Sequence, residues 1–200
     1  MKPEGAVTKK VVVFFGLIAS GKSFAAKAWA QKHDFPYCNT DVVRKQLAGI
    51  NSYEPQQERI SEGIYSPAYT RLTYDALLRF AEKGLADPSV TCVVLDGSYQ
   101  AQAERERLLL RLAHRARVVF VLCSCKEEII KVRLAQRALD PAAVSDGSWE
   151  IYLHQKETFE YPEELSVRQF RRLDTDMEVQ LLLESLDHIL HSEGAGDEAL

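Results

Sequence analysis

The segment Gly16-Leu17-Ile18-Ala19-Ser20-Gly21-Lys22-Ser23 matches G-x-x-x-x-G-K-[ST], the P-loop pattern. These residue types serve one chemistry, the holding of a phosphate chain. Gly16 and Gly21 let the backbone around Ala19 and Ser20 wrap an anion with its N–H groups pointing inward. A helix opening at the end of the motif presents its positive N-terminal end to the same anion. Lys22 is a mobile cation for the β- and γ-phosphates of a nucleoside triphosphate, and Ser23 places a hydroxyl to ligate Mg²⁺.

The other candidate residues are charged groups that follow the apolar runs. Asp41 and Arg44 are three apart at the start of a helical stretch and share a face. A carboxylate there can take the proton of an attacking hydroxyl, and a guanidinium beside it can orient substrate or bind developing phosphoryl charge. An N-capping aspartate with a surface ion pair also fits. Asp96 ends an apolar run, where P-loop proteins hold Mg²⁺ or its bound water; a helix cap fits the same position. Gly97 follows it, so the glutamate with which motor-type ATPases activate water is missing. Neither DxxG nor NKxD occurs, which removes the GTPase signatures. Transfer to an acceptor other than water is the expectation.

Arg105 is a candidate substrate-side contact and Arg107 a weaker one, against a solvated helix face as the ordinary alternative. Tyr65 is a candidate acceptor-side residue in the middle segment. Arg133 and Arg137 are four apart on one helical face, where they repel unless an anion lies between them. The Pro/Gly/Ser-containing stretch 139–148 and a second helix from Trp149 follow. That order describes a lid closing over a phosphoryl donor and excluding water, and a solvated basic helix is the plain alternative. Asp174-Thr175-Asp176 reads mainly as a helix cap with a contact to the donor's base as a second role, and Glu160-Tyr161-Pro162-Glu163 as structural.

Elements must bring these residues together. Val11–Phe15, Phe35–Asn39, Val90–Leu95, Val118–Cys123 and a weaker run Val167–Leu173 read as strands. Helical patterns over Phe24–Lys32, Ala103–Arg115, Glu127–Leu139 and Met177–Leu190 alternate with them. The middle, 42–84, is helix and loop, with Ser66-Pro67 as a start signal and Gly84 as the expected stop. Continuous rather than alternating apolar strands predict a parallel sheet with helices on both faces, an α/β three-layer sandwich. In such sheets ligands bind beyond the carboxyl ends of the strands, where the candidate residues lie.

Composition sets the class. Two hundred residues, 46% hydrophobic and 27% charged, make one globular domain with a proper core and exclude a disordered chain, a coiled coil or a collagen-like fibre. The net charge of −4 does not advertise a nucleic-acid coat or an anionic membrane surface. Cys38, Cys92, Cys123 and Cys125 form no CxxC pair, and the five histidines show no ligand spacing around them, so reduced cysteines in a cytoplasmic core are expected. Lys9-Lys10 and the apolar run after them imitate a signal peptide, but a cleavage region has no reason to open a P-loop. The expected division is a tail 1–8, one domain over 9–191 with an acceptor-side insert 42–84 and a lid 133–160, and a frayed acidic tail 192–200.

In order, the P-loop, Asp41-x-x-Arg44, Asp96-Gly97-Ser98-Tyr99 with Arg105, Arg133-x-x-x-Arg137, Ser145-Asp146, Phe159-Glu160 and Asp174-Thr175 resemble the P-loop "predicted kinases" related to the kinase domain of phage polynucleotide kinase. The resemblance spans residues 9–190, with shikimate and gluconate kinases, adenylylsulfate kinase and zeta toxins as more distant cousins. It implies a five-stranded parallel sheet, ATP·Mg²⁺ as donor, Asp41 as general base, Arg44 as acceptor-side ligand, and Arg133 and Arg137 as lid residues on the donor. Many relatives are fused to an aminoglycoside-phosphotransferase-like domain, which this sequence does not contain. Ile18 stands where proline is frequent.

Three functions are open at this level. The first is an ATP- and Mg²⁺-dependent kinase of a hydroxyl on a small molecule or nucleotide. The second is a polynucleotide 5′-hydroxyl kinase, with Tyr53, Tyr65, Tyr69 and Tyr99 as stacking candidates, which the acidic balance disfavours. The third is a nucleotide-binding regulatory or toxin-like kinase module. No membrane partner is expected, and the sequence leaves the oligomeric state undetermined.

Overall fold

A computed structural model describes residues 9–50, 63–139 and 148–191. Tyr53, Ser145-Asp146 and both tails lie outside them. The order is β1 (Lys10–Phe15), α1 (Lys22–His33), β2 (Tyr37–Asn39), α2 (Thr40–Leu47), a 3₁₀ turn (Gly63–Tyr65), α3 (Pro67–Ala86), β3 (Cys92–Asp96), α4 (Gln102–Leu112), β4 (Arg117–Ser124), α5 (Glu127–Ala138), α6 (Trp149–Thr158), β5 (Phe170–Asp174) and α7 (Val179–His191). The five strands form one parallel sheet in the order β2-β3-β1-β4-β5.

Both faces of the sheet are covered, which is why its central strands read as unbroken apolar runs. Val11, Val13 and Phe15 point toward α3 and α4, meeting Leu77, Ala81, Leu108 and Leu112. Val12 and Phe14 point the other way, toward Ala26 and Trp29 of α1 and Leu182 and Leu186 of α7. All five β1 residues from Val11 to Phe15 are fully buried. Each such side chain contributes roughly 1.5–3 kcal/mol, so burial holds the strand that launches the P-loop firmly in the sheet.

Local signals act as the sequence predicts at the start of α3, where Ser66 caps and Pro67 takes the first turn. They do not at its end. Gly84 does not stop α3, which continues to Ala86. A Cβ on Gly84 would lie 2.7 Å from Val93 Cγ2, so glycine is there to let the helix approach β3. The strand expected from Val167 begins at Phe170, because Ser166 and Gln169 close a turn through their side chains and leave Val167 exposed.

The helices α1 and α7 are clasped at their polar edge. The Asp187 carboxylate accepts from Trp29 Nε1 at 2.8 Å and Lys32 Nζ at 2.7 Å, and meets His33 Nε2 at 2.7 Å. Burial alone would raise this carboxyl, but the three partners outweigh it and hold it at about 2. A depressed carboxyl stabilises the fold fully above the unfolded-chain value near 4 and loses that stabilisation as pH falls toward 2. The carboxylate keeps 28% of its exposure, so screening reduces the gain to about 1 kcal/mol. Thermal melts of Asp187→Asn should therefore lie below wild type at neutral pH and converge with it in acid. A gap that does not change with pH would exclude this linkage.

All four cysteines are free, and burial pushes the Cys38 thiol up to about 11 and the Cys92 thiol up to about 12. Among the described residues no helix is long and apolar enough to cross a membrane.

Candidate active site

The sheet register assembles the site. Asp96 lies level with Phe14 of β1 on one side and Asn39 of β2 on the other, at the carboxyl rim of the sheet. The loop after Phe15 and the helix after Asn39 therefore start beside the same buried carboxylate. A cavity of about 490 Å³ opens there. Its walls include Ala19, Gly21, Lys22 and Ser23 of the loop, Lys27 of α1, Asn39 and Asp41, and Arg133, Arg137 and Thr175 from the other side.

The loop needs glycine at two points. Gly16 has φ of 134°, and a Cβ on it would lie 2.5 Å from the Cys123 carbonyl oxygen. Gly21, with φ of 84°, is the residue before α1, and a Cβ there would lie 2.7 Å from Thr175 Oγ1. Both positions combine a left-handed backbone with a close neighbour, so any side chain is excluded twice over. Ser20 is 2% exposed and its hydroxyl has no hydrogen-bond partner among the described residues. Lys22 Nζ donates to the Leu17 carbonyl at 3.2 Å, which folds the cation over its own loop.

Asp96 is fully buried. Burial pushes its carboxyl up, while Lys22 and hydrogen bonds from Tyr37, Ser23 and Asn39 oppose the shift. Tyr37 Oη donates to Oδ2 at 2.7 Å and Asn39 Nδ2 to the same oxygen at 2.5 Å. Oδ1 is buried without a hydrogen-bond partner among the described residues. An orphaned carboxylate oxygen beside the Ser23 hydroxyl is a donor set that fits a hard, oxygen-seeking cation. Among the described residues there is no cluster of three His, Cys, Asp or Glu able to hold a metal, so an ion here would complete its shell from phosphate and water, as Mg²⁺ does.

Asp41 stands in the first turn of α2, lines the cavity, and is not the cap; Asn39 is, accepting from the Asp41 and Val42 N–H groups. Among the described residues the Asp41 carboxylate has no hydrogen-bond or ion-pair partner. The capping explanation of this residue is thereby removed. Arg44 departs from the expectation that it shares the site with Asp41. It is 8% exposed and turned into the insert, where Nη1 donates to the Ile64 carbonyl at 2.7 Å and to Thr70 Oγ1 at 3.2 Å. Its guanidinium lies 5.1 Å from the centre of the Tyr65 ring. Neither Arg44 nor Tyr65 is part of the cavity wall.

Arg105 departs from the expected substrate-side contact. It is fully buried, paired to Glu164 through Nε at 2.5 Å, and donates to the carbonyls of Tyr99 and Gln100. With its donors occupied inside the fold it ties α4 to the segment before β5, and it is not part of the cavity wall. Arg107 likewise pairs with Asp75 and Glu104.

Arg133 and Arg137 both reach the cavity, in different states. Arg133 Nη1 donates to the Ala19 carbonyl at 3.3 Å, and Nη2 to the Thr175 carbonyl at 2.8 Å, so this arginine clamps the loop. Arg137 lines the same wall and has no hydrogen-bond or ion-pair partner among the described residues. Helix α6 also meets the loop, since Ile18 N donates to Gln155 Oε1 at 2.8 Å.

Other site residues carry a weaker signal in the sequence or none. Thr175, read mainly as part of a cap, donates Oγ1 to the Ser20 carbonyl at 2.6 Å. Tyr37, Asn39 and Lys27 belong to no motif; only the strand register and the position of Lys27 five residues after Lys22 could point to them.

A family model described as an AAA domain matches residues 11–162. A comparison with curated proteins finds no match. Among solved structures, the fold is similar to a gluconokinase from Sinorhizobium meliloti 1021, with 19% identity, a TM-score of 0.59 and 92% of each chain covered. An APS kinase from Mycobacterium tuberculosis, in complex with AMPPNP and APS, is 18% identical with a TM-score of 0.62, covering 92% of this chain and 99% of that one. Kti12 from Chaetomium thermophilum, in complex with ADP-AlF3, is 16% identical with a TM-score of 0.59, covering 90% and 97%.

Proposed function

The chain belongs to the AAA domain family, whose model matches residues 11–162, and on that footing we propose that it is an ATP- and Mg²⁺-dependent kinase acting on a hydroxyl of a small molecule or nucleotide. The observation that carries the reading is the Asp41 carboxylate, which has no partner among the described residues and lines one cavity with the phosphate-binding loop, with no water-activating glutamate after Asp96.

The residues divide the work as follows. The loop from Gly16 to Ser23 cradles the triphosphate with backbone N–H groups and the start of α1. Lys22 and Arg137 neutralise charge on the transferring phosphoryl group, and Arg133 holds the loop and lid together while lending its charge. Ser23 and Asp96 would hold Mg²⁺, which supplies charge neutralisation at the β- and γ-phosphates. Asp41 takes the proton of the acceptor hydroxyl as its oxygen bonds to the γ-phosphorus and the bond to the bridging oxygen breaks, releasing ADP. Arg44 orders the insert through Ile64 and Thr70, and so shapes the acceptor side from behind. The free cysteines suit a reducing, cytoplasmic setting.

The nucleotide-binding part of this reading is supported by the Kti12 and APS kinase folds, and the acceptor part by the gluconokinase and APS kinase folds. For the polynucleotide reading, Tyr99 is 1% exposed and unavailable for stacking, whereas Phe24 is 60% exposed on the cavity rim next to Lys27. The deciding experiment supplies γ-labelled ATP with a panel of sugars, nucleosides and 5′-hydroxyl oligonucleotides. The proposal expects label in one acceptor class. Label found only in orthophosphate would make the protein a hydrolase, and tight ATP binding without turnover would make it a regulatory or toxin-like module.

A further inference from the structure

Asn39 stands where three elements meet, and we propose that it is a positioning residue whose single amide fixes both the Asp96 carboxylate and the helix that carries Asp41. Its catalytic consequence rests on the kinase reading above; its structural half does not. Oδ1 accepts the Asp41 N–H at 2.9 Å and the Val42 N–H at 3.1 Å. Two backbone donors on one end settle which end of the amide is oxygen. Nδ2 is thereby turned the other way, where it donates to Asp96 Oδ2 and lies 3.5 Å from Ser23 Oγ. Tyr37, two residues earlier and so on the same side of β2, donates to the same Oδ2. With both donors on one oxygen, the carboxylate is oriented and presents Oδ1 alone.

An ordinary helix cap accounts for only half of these contacts. Asn, Asp, Ser and Thr all satisfy first-turn N–H groups. Asparagine adds an amide NH₂ beyond the accepting oxygen, and here that end touches the donor set for the cation. Asp41 is two residues from the junction, so a change in the cap displaces the base as well as Asp96.

The test uses two substitutions that keep the cap. Asn39→Asp preserves shape and the accepting oxygen but turns the Nδ2 end into a carboxylate oxygen against Asp96. The nucleotide-free variant should melt below wild type, and about 10 mM Mg²⁺ alone should recover part of the loss while leaving wild type unmoved, because a cation that binds the folded pair stabilises it. Asn39→Ser keeps a capping hydroxyl and adds no charge. It should melt near wild type without a Mg²⁺ response, yet lower kcat roughly tenfold or more with KM for ATP within about twofold, since the triphosphate cradle is untouched. If Asn39→Asp melts at or above wild type regardless of Mg²⁺, or Asn39→Ser keeps the wild-type kcat, Asn39 is only a cap and the proposal is overturned. A wild-type chain inactive on every acceptor overturns the kinase reading instead, and the melting comparison still decides the position of Asn39.

Discussion

Lys22→Ala is expected to lower ATP turnover about a thousandfold, the scale set by removing one preorganised charged donor from a phosphoryl-transfer site. Lys22 lies in the first turn of α1, beside the left-handed Gly21, so its ammonium is carried by a helix that follows a fully buried strand. Its hydrogen bond to the Leu17 carbonyl is a contact within its own loop that a phosphate can replace. The remaining cavity cations do not substitute for it. Arg133 is occupied by carbonyls, and Arg137 and Lys27 approach from α5 and from the next turn of α1. Removing Lys22 also strips a positive neighbour from the buried Asp96, whose carboxyl would then sit higher still. The measurement is steady-state ADP release with melting curves of both proteins. Turnover within tenfold of wild type in a folded Lys22→Ala protein would mean that the loop does not hold the reacting phosphate.

Asp41→Asn should lower kcat by about 10² to 10⁴ while leaving ATP affinity within about twofold, the signature of a group that acts on the acceptor's proton rather than on the donor. The separation is clean because the side chain does no structural work. Asn39 caps α2, the Asp41 carboxylate has no partner among the described residues, and asparagine has the same shape. A loss of stability is therefore not expected, and a lower kcat can be assigned to chemistry. Nucleotide affinity by tryptophan fluorescence and single-turnover transfer to the labelled acceptor separate the two quantities. Full acceptor phosphorylation by Asp41→Asn would show that another group takes the proton.

The places of Lys22 and Asp41 on the cavity wall are both legible in the amino-acid sequence, for Lys22 by a local reason and for Asp41 by a sheet-wide one. A P-loop is a contiguous motif whose glycines, lysine and serine act within a single strand–loop–helix turn, so its spacing carries its geometry. Asp41 and Asp96 are legible because continuous apolar strands imply a covered parallel sheet, and such a sheet puts function at its carboxyl rim. Side-chain direction is not legible in the same way. Arg44 shares a helical face with Asp41 in principle, yet the Ile64 carbonyl and Thr70 draw it into the insert. Arg105 follows the Asp96 strand as a substrate residue would, yet Glu164, 59 positions away, claims it in the interior. Both outcomes depend on partners distant in sequence, and a buried guanidinium goes wherever its donors are satisfied.

The sequence by itself determined the fold class, the P-loop and the rim on which the cavity lies, because hydrophobic period and a contiguous motif are sufficient for each. The tertiary structure alone decided which charges face the cavity. It placed Asn39 and Tyr37 on the Asp96 carboxylate through the pairing of β2 with β3, held Arg133 to the loop, and left Arg137 and Asp41 without partners among the described residues. Such choices follow from strand register and from the need of every buried polar atom for a partner, and these are properties of the assembled molecule.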